Sequence, residues 1–413
     1  MLLSELINRK IAIWGFGIEG KSIYQLLRKN GSENIVVIDT KKPQEKIDFI
    51  EENEVLNNLD KFDLIIKCAS ISIYANKNFT EAIKYREYTT QTNIFFANFL
   101  EHKKFYEKPT LIAITGTKGK STTASLLHHI LSGLGYKLKL VGNIGFPMTD
   151  IIDELSGLDF IVMELSSYQT ADLKYAPDVA IVLNMCPEHI HWHKTHEKYY
   201  QDKLHLLELA KKFGKKTFDF RNLEKPQIPF EVKNDYLNFE HNQRNLYCVL
   251  EILKFLKIEP SPKMQQVINN FKGLNFRLQI VKEEDGITYV DDSISTIPEA
   301  AIAAIKSCKN IPIAMILGGE DRCQNFFELA KFIVSSNKVE FIAILGECKN
   351  RIKASLDKAG FTNYVVVDNL TEAVSEVKKS ITKGTILLSP AAPSHDQFKN
   401  FEERGRLFNK LVV

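Results

Sequence analysis

Short apolar runs alternate along the chain with longer stretches whose apolar positions recur at helical spacing, the pattern of strands in parallel sheets flanked by helices. IAIWGFG, IEGKSIYQLLRK and NIVVIDT predict one strand, helix and strand, and FDLIIKCAS predicts a further strand. This first block ends near Asn98, where the polar patch EHKKFYEKPT interrupts the pattern. LIAITGTKGKSTTASLLHHILSGLG restarts it as strand, glycine-containing loop and helix, and KLKLVGNIG, DFIVMELSSY and DVAIVLNM supply more strands. Past FKGLNFRLQIV a third set follows, in ITYVDDSIS, IPIAMILGGE, VEFIAILGE and GTILLSPAA. The expected fold class is α/β in three domains, residues 1–99, 100–273 and 274–413, with no internal repeat.

Composition narrows the class. With 44% hydrophobic and 25% charged residues among 413, the chain reads as an ordinary globular protein. A net charge of +3 argues against a general polyanion binder, so no nucleic-acid partner is expected. No run approaches the roughly 18 apolar residues of a membrane span, and MLLSELINRK lacks a signal peptide's apolar core, which leaves the cytoplasm as the expected compartment. The cysteines Cys68, Cys186, Cys248, Cys308, Cys323 and Cys348 form no Cys-x-x-Cys pair, so neither a disulfide framework nor a thiolate zinc site is expected.

Two glycine loops carry candidate chemistry. Gly15-Phe16-Gly17-Ile18-Glu19-Gly20 follows a strand and opens a helix, with Asp39 ending the next strand, which is the dinucleotide fingerprint. On its own it permits a nicotinamide-dependent oxidoreductase; in the bland alternative the glycines only let helix and strand pack closely. Gly116-Thr117-Lys118-Gly119-Lys120-Ser121-Thr122 is sharper. Its amides would cradle phosphates, Lys120 would neutralise them, and the Ser121 hydroxyl would reach Mg²⁺. The motif departs from the usual pattern in having Ile114 where a glycine is common.

LNMCPEHIHWHKTHEKYYQDK brings His189, His191, His193 and His196 close together. Zinc would take about four nitrogen or sulfur ligands, but no HExxH is present, and alternate positions cannot share one helical face. The upstream phosphate loop favours Mg²⁺, which prefers oxygen, so most of these histidines are expected in solvent or behind the metal ligands. Glu164, ending the strand DFIVME, is the better hard ligand.

Taken together, GTKGKST, ELSSYQT, LN…EHI…YxxDK, HNxxN, GLNFR, DDSIST, LGGEDR and LLSPAAPSHDQFKNFEERG resemble the Mur ligase family, in its branch that adds glutamate to UDP-N-acetylmuramoyl-L-alanine for peptidoglycan synthesis. The matches run from residue 11 to residue 408 in the family's order. The resemblance implies a Rossmann-like UDP-binding domain, a P-loop ATPase-like central domain and a Rossmann-like C-terminal domain that contacts glutamate and nucleotide. It implies ATP as co-substrate and two Mg²⁺ ions. Ser121, Glu164, His189 and Lys203, the last as a carbamate formed with CO₂, would hold the metals. Asn143 would meet the substrate near them. Lys120, Glu164, His189, Lys203 and Asn143 would form the catalytic group. Gly116, Thr117, Lys118, Gly119, Lys120, Ser121, Thr122, Asn242, Asn245, Arg277 and Asp292 would bind ATP. Gly17, Ile18, Glu19, Asp39, Thr40 and Asn143 would surround the UDP-substrate, and Thr296, Arg322, Ser394 and Phe401 would receive glutamate. In the bland reading Asn242 and Asn245 cap a helix and Arg277 is a surface residue. A monomer is expected.

Three departures bear on the substrate. KCASIS has Ala69-Ser70 where the family usually shows Pro-Gly, Ile294 stands where a lysine is common, and Arg322 replaces the amino-acid-binding lysine. EHIHW, DDSIST and GGEDR resemble the L-glutamate branch, whereas SPAAPSHDQFKNFEERG resembles the D-glutamate branch; D-glutamate is the favoured expectation and L-glutamate the alternative.

Overall fold

The computed structural model describes residues 1–186, 188–223, 227–234, 236–238 and 240–413. The chain separates into two compact units, Met1–Phe271 and Lys272–Val413. Among the described residues, the first unit carries two five-stranded sheets and the second one six-stranded sheet.

The first sheet contains β1 (Ile11–Trp14), β2 (Ile35–Asp39), β3 (Phe49–Glu51), β4 (Leu64–Lys67) and β5 (Glu87–Thr90). Its order is β3-β2-β1-β4-β5, and every pairing is parallel. β1 and β4 are buried at every position, which is why IAIW and LII read as apolar runs rather than alternating ones, with β4 closing on the buried Lys67. Strand order reverses between β1 and β4, so the glycine loop after β1 and the loop after β4 lie side by side at the switch point where α/β sheets bind ligands. The helix Gln91–Lys103 runs on into the polar patch taken from sequence as a break. His102 and Lys103 form its last turn, where cations favourably meet the helix C-terminal dipole.

The second sheet contains β6 (Thr110–Thr115), β7 (Leu138–Gly142), β8 (Phe160–Glu164), β9 (Val179–Val182) and β10 (Lys216–Asp219). It is again all parallel, in the order β10-β9-β6-β8-β7. Apolar clusters cover both faces: Phe95, Phe99 and Leu206 belong to one, and Leu127, Ile130 and Val249 to the other. Central β6 carries the phosphate loop at its carboxyl end. Its neighbours β8 and β9 deliver Glu164 and the segment leading to His189 beside that loop.

In the second unit β11 (Gln279–Glu284), β12 (Ile287–Asp291), β13 (Ile313–Gly318), β14 (Val339–Leu345), β15 (Tyr364–Val366) and β16 (Gly384–Leu388) are ordered β11-β12-β16-β13-β14-β15. All pairs are parallel except β11 with β12, an antiparallel edge that a parallel reading of the sequence does not anticipate. The tight turn at Asp285 and Gly286, both at positive φ, allows this hairpin without a crossover helix. Among the described residues no helix is long and apolar enough to cross a membrane.

Candidate active site

The phosphate loop leaves β6 and enters the helix Lys120–Leu134 through Gly119, which caps it at φ +86°. A side chain at 119 would be strained there, and its Cβ would come within 2.5 Å of the Asn245 amide oxygen. Asn245 therefore lies directly against the loop. It donates to Asn242 over 3.3 Å, and Asn242 donates to the Tyr236 carbonyl over 2.8 Å. Thr117 ties the loop to the segment after β9: its amide donates to the Asn184 carbonyl, its hydroxyl to Cys186, and that hydroxyl meets the Tyr199 hydroxyl at 2.7 Å. Lys120 reaches back to the Thr117 carbonyl at 3.0 Å, and Lys118 pairs with Glu188.

Lys203 sits on the helix His196–Lys212, is 2% exposed, and donates from Nζ to the Gly116 carbonyl over 2.8 Å. Burial, reinforced by the positive charge of Lys120, lowers its ammonium to about 7. An amine so placed is substantially neutral near physiological pH and can act as a nucleophile.

Glu164 ends β8 fully buried. One carboxylate oxygen accepts from the Asn143 amide at 2.9 Å, while the other is buried with no hydrogen-bond partner among the described residues. Such an orphaned anionic oxygen beside a phosphate loop fits a hard cation. Asn143 is itself held by its backbone amide on the Glu164 carbonyl. His189 adopts a left-handed conformation just ahead of the short helix Ile190–His193 and stands against the Tyr168 ring. Burial lowers its pKa, partly countered by Glu188, which favours the neutral imidazole a metal requires. Among the described residues no group of three or more His, Cys, Asp or Glu side chains gathers as a metal site. Glu164 and Lys120 both act electrostatically on Lys203, and Lys203 in turn on His189, so a carboxylate, an imidazole and an amine lie within reach of one another's charge.

The first glycine loop is arranged differently. Asp39 accepts from the Phe16 and Thr40 amides at 2.7 Å each, so its carboxylate braces the loop from below. Glu19 takes bonds from the Gln169 side chain at 2.7 Å and the Ala69 amide at 2.9 Å, tying the first sheet to the second. Gly17 and Ile18 are exposed, Ile18 at 78%.

In the second unit Asp292 is buried, with oxygens accepting from the Leu278 amide and from Ser295 and Ser389. Burial raises it to about 6, and raises adjacent Asp291 to about 7. Arg277 is half-buried. Arg322 is exposed and paired with Glu320 at 2.9 Å; the Thr296 carbonyl accepts from Gln324. Ser394 is buried, and Phe401 opens the last helix with its carbonyl accepting from Ser293. Arg404, which sequence reasoning passed over, is 1% exposed and donates to carbonyls of Ser293, Gly318, Ala392 and Pro393. It joins Ser293 after β12, Gly318 at the end of β13, and Ala392 and Pro393 after β16. An arginine inside an otherwise helical EERG run gives no sign of this role.

A phosphate loop at the switch point of a parallel sheet, with a buried carboxylate and a near-neutral lysine around it, defines a nucleotide-using α/β enzyme. A profile of the Mur ligase middle domain matches residues 114–280, and one of the Mur ligase glutamate ligase domain matches residues 276–392. The UDP-N-acetylmuramoyl-L-alanine–L-glutamate ligase of Xanthomonas euvesicatoria is 30% identical over 460 aligned positions, covering 100% of this chain and 97% of that protein. The UDP-N-acetylmuramoylalanine–D-glutamate ligase of Clostridium acetobutylicum is also 30% identical, over 98% of this chain and 96% of its own. Among solved structures, the UDP-N-acetylmuramate-alanine ligase of Thermotoga maritima shares the fold with a TM-score of 0.59 at 16% identity, covering 98% of this chain and 99% of that one. The MurF ligase of Thermotoga maritima, solved with ADP, shares it at 0.55 and 15%, over 99% and 96%. The chain belongs to the Mur ligase family, and is an ATP-dependent ligase that forms an amide bond in peptidoglycan precursor synthesis.

Proposed function

We propose that the protein joins glutamate to UDP-N-acetylmuramoyl-L-alanine, using ATP. The observation that carries this reading is Lys203, buried against the phosphate loop's own Gly116 carbonyl and held near neutrality. Its neutral amine can attack CO₂, forming an N–C bond and releasing one proton. The resulting carbamate replaces a cation with anionic oxygens. With Ser121, Glu164 and His189 it would hold two Mg²⁺ ions, which when bound would supply charge neutralisation between the phosphates and the attacking carboxylate. The unpartnered Glu164 oxygen supports that assignment.

The substrate's alanyl carboxylate attacks the γ-phosphate, yielding an acyl phosphate and ADP. The glutamate amine then adds to the acyl carbon, and phosphate leaves as the amide forms. Neither step calls for a nucleophilic side chain, so the chain's residues orient and neutralise. Lys120 and the amides from Gly116 to Thr122 take the phosphates, Asn242 and Asn245 brace that loop, and Asn143 orients substrate beside Glu164. Arg277 and the loop held by Asp292 meet the nucleoside. Gly17, Ile18, Glu19, Asp39 and Thr40 shape the UDP site, Asp39 and Glu19 through the backbone they hold. Thr296, Arg322, Ser394 and Phe401 receive glutamate, Arg322 by clamping a carboxylate. On this reading residues 1–99, 100–273 and 274–413 act as UDP, ATP and glutamate domains, in a cytoplasmic monomer.

D-glutamate is the first reading, supported by the closing SPAAPSHDQFKNFEERG motif and the Clostridium relative. L-glutamate is the second, favoured by the Xanthomonas relative and by Arg322 in GGEDR. Phosphate release from ATP with UDP-N-acetylmuramoyl-L-alanine and Mg²⁺, run with D-glutamate, L-glutamate or neither, decides between them. Silence with both enantiomers from folded protein would sink the proposal.

A further inference from the structure

Of the clustered histidines that have no place at the metal, His193 stands out by its burial. His193 is fully buried, with Nδ1 2.6 Å from an Asp202 oxygen and Nε2 2.9 Å from the Ser167 hydroxyl. The second Asp202 oxygen accepts from the Tyr74 hydroxyl at 2.8 Å. The order Ser–His–Asp is that of a nucleophilic triad, but exposures of 1%, 0% and 5% leave no route for an outside substrate. The aspartate on Nδ1 assigns the proton to that nitrogen, so Nε2 accepts from Ser167 and every member has a partner.

Position along the chain gives the network its meaning. Ser167 lies three residues beyond Glu164, Asp202 immediately precedes Lys203, and the His193 amide donates to the His189 carbonyl at 3.2 Å. One set of hydrogen bonds thus joins the strand end, the short helix and the lysine helix. Its far end rests on the loop after β4, the segment that departs from the family's Pro-Gly pattern. There the Ser70 carbonyl accepts from the Trp192 indole at 3.2 Å, Ser72 donates to the Trp192 carbonyl at 2.6 Å, and Tyr74 reaches Asp202. Lys67 and Asp172, with side chains 0% and 5% exposed, add an ion pair at 3.3 Å beneath Trp192. Among the described residues neither Asp172 carboxylate oxygen makes a hydrogen bond, so that contact is Coulombic only.

We propose that Tyr74, Asp202, His193 and Ser167 are positioning residues that set Lys203, His189 and Glu164 in register, and that carbamylation of Lys203 depends on them. The inference rests on the reading of Lys203 given above. Rotation of the helix His196–Lys212 about its axis would carry Lys203 away from Gly116, and Asp202, gripped from two sides, opposes that rotation. Outer-shell partners of this kind typically change metal affinity or activity about 10- to 100-fold when removed.

The test uses the full chain with ¹³C-labelled bicarbonate and follows the carbamate carbon by NMR. Wild type should show the signal and Lys203→Ala should not. Asp202→Asn and His193→Phe should reduce it about tenfold at equal bicarbonate. Tyr74→Phe, which removes one hydroxyl from a half-buried site, covers the case in which the other variants do not fold. In kinetics, Asp202→Asn should need about tenfold more bicarbonate for half-maximal turnover, with kcat recovering at saturation. A merely structural defect would not be rescued in that way. Undiminished signals in the folded variants beside a carbamylated wild type would overturn the positioning role. No signal in wild type would instead overturn the carbamate reading, and this inference with it.

Discussion

Arg404→Met should destabilise the second unit, because the guanidinium is the common hydrogen-bond donor to three strand-end loops. Three of its bonds are short: Nη2 to the Ser293 carbonyl at 2.8 Å, Nη2 to the Ala392 carbonyl at 3.0 Å and Nε to the Ser293 hydroxyl at 3.0 Å. Those to Gly318 and Pro393, at 3.4 Å, add little. Methionine fills much of the volume but leaves these acceptors buried and unpaired. At roughly 1–1.5 kcal/mol for each short bond, the loss is about 3–5 kcal/mol, a large share of the 5–15 kcal/mol that holds a typical domain together. Relief from burying a cation, whose pKa burial lowers to about 10, works the other way and makes the lower end the better figure. Both tryptophans, Trp14 and Trp192, belong to the first unit, so tryptophan fluorescence follows that unit while far-ultraviolet circular dichroism follows both. Urea unfolding should move the dichroism transition of the second unit to lower denaturant and leave the fluorescence midpoint in place. Arg404→Lys, keeping one or two of the bonds, should fall between. A dichroism midpoint within about 1 kcal/mol of wild type would refute the clasp.

Three further outcomes are expected. Lys203→Ala should abolish turnover and be partly rescued by formate or acetate; full unrescued activity would rule out the carbamate. Gly119→Ala must place a Cβ 2.5 Å from the Asn245 oxygen at φ +86°, so ATP affinity by calorimetry should fall about tenfold, reflecting about 1–2 kcal/mol of strain. Asp291 has its folded pKa raised by burial to about 7 from 3.8, so the folded state holds the extra proton between those values. Its stabilising contribution is complete below pH 4 and fades as pH rises through 7. Asp291→Asn should therefore gain stability relative to wild type on going from pH 4 to pH 8 in thermal melts, and an unchanged difference would contradict the shift.

Local pattern along the chain carried the architecture far. Unbroken apolar runs such as TLIAIT and IAMILG mark strands covered on both faces, and glycines at their ends mark turns no other residue makes cheaply. The placement of Gly116 to Ser121 between strand and helix, and of Glu164 at a strand end, was legible for the same reason, since strand, loop and helix are contiguous. Glu19 shows where local reading stops: its place in a glycine fingerprint suggests a ligand, yet its carboxylate is taken by Gln169, 150 residues away.

The sequence by itself determined the succession of strands and helices, the phosphate loop, and by resemblance the family, because these are encoded at short range. Only the tertiary structure decided that β11 turns back as an antiparallel edge, that Lys203 is buried on Gly116 and so loses its charge near pH 7, and that His193 serves Asp202 rather than solvent. Arg404 meets Ser293 across 111 residues in the same way. Burial, desolvation and hydrogen-bond partners across such separations depend on which elements pack together, and no local pattern of residue types specifies that.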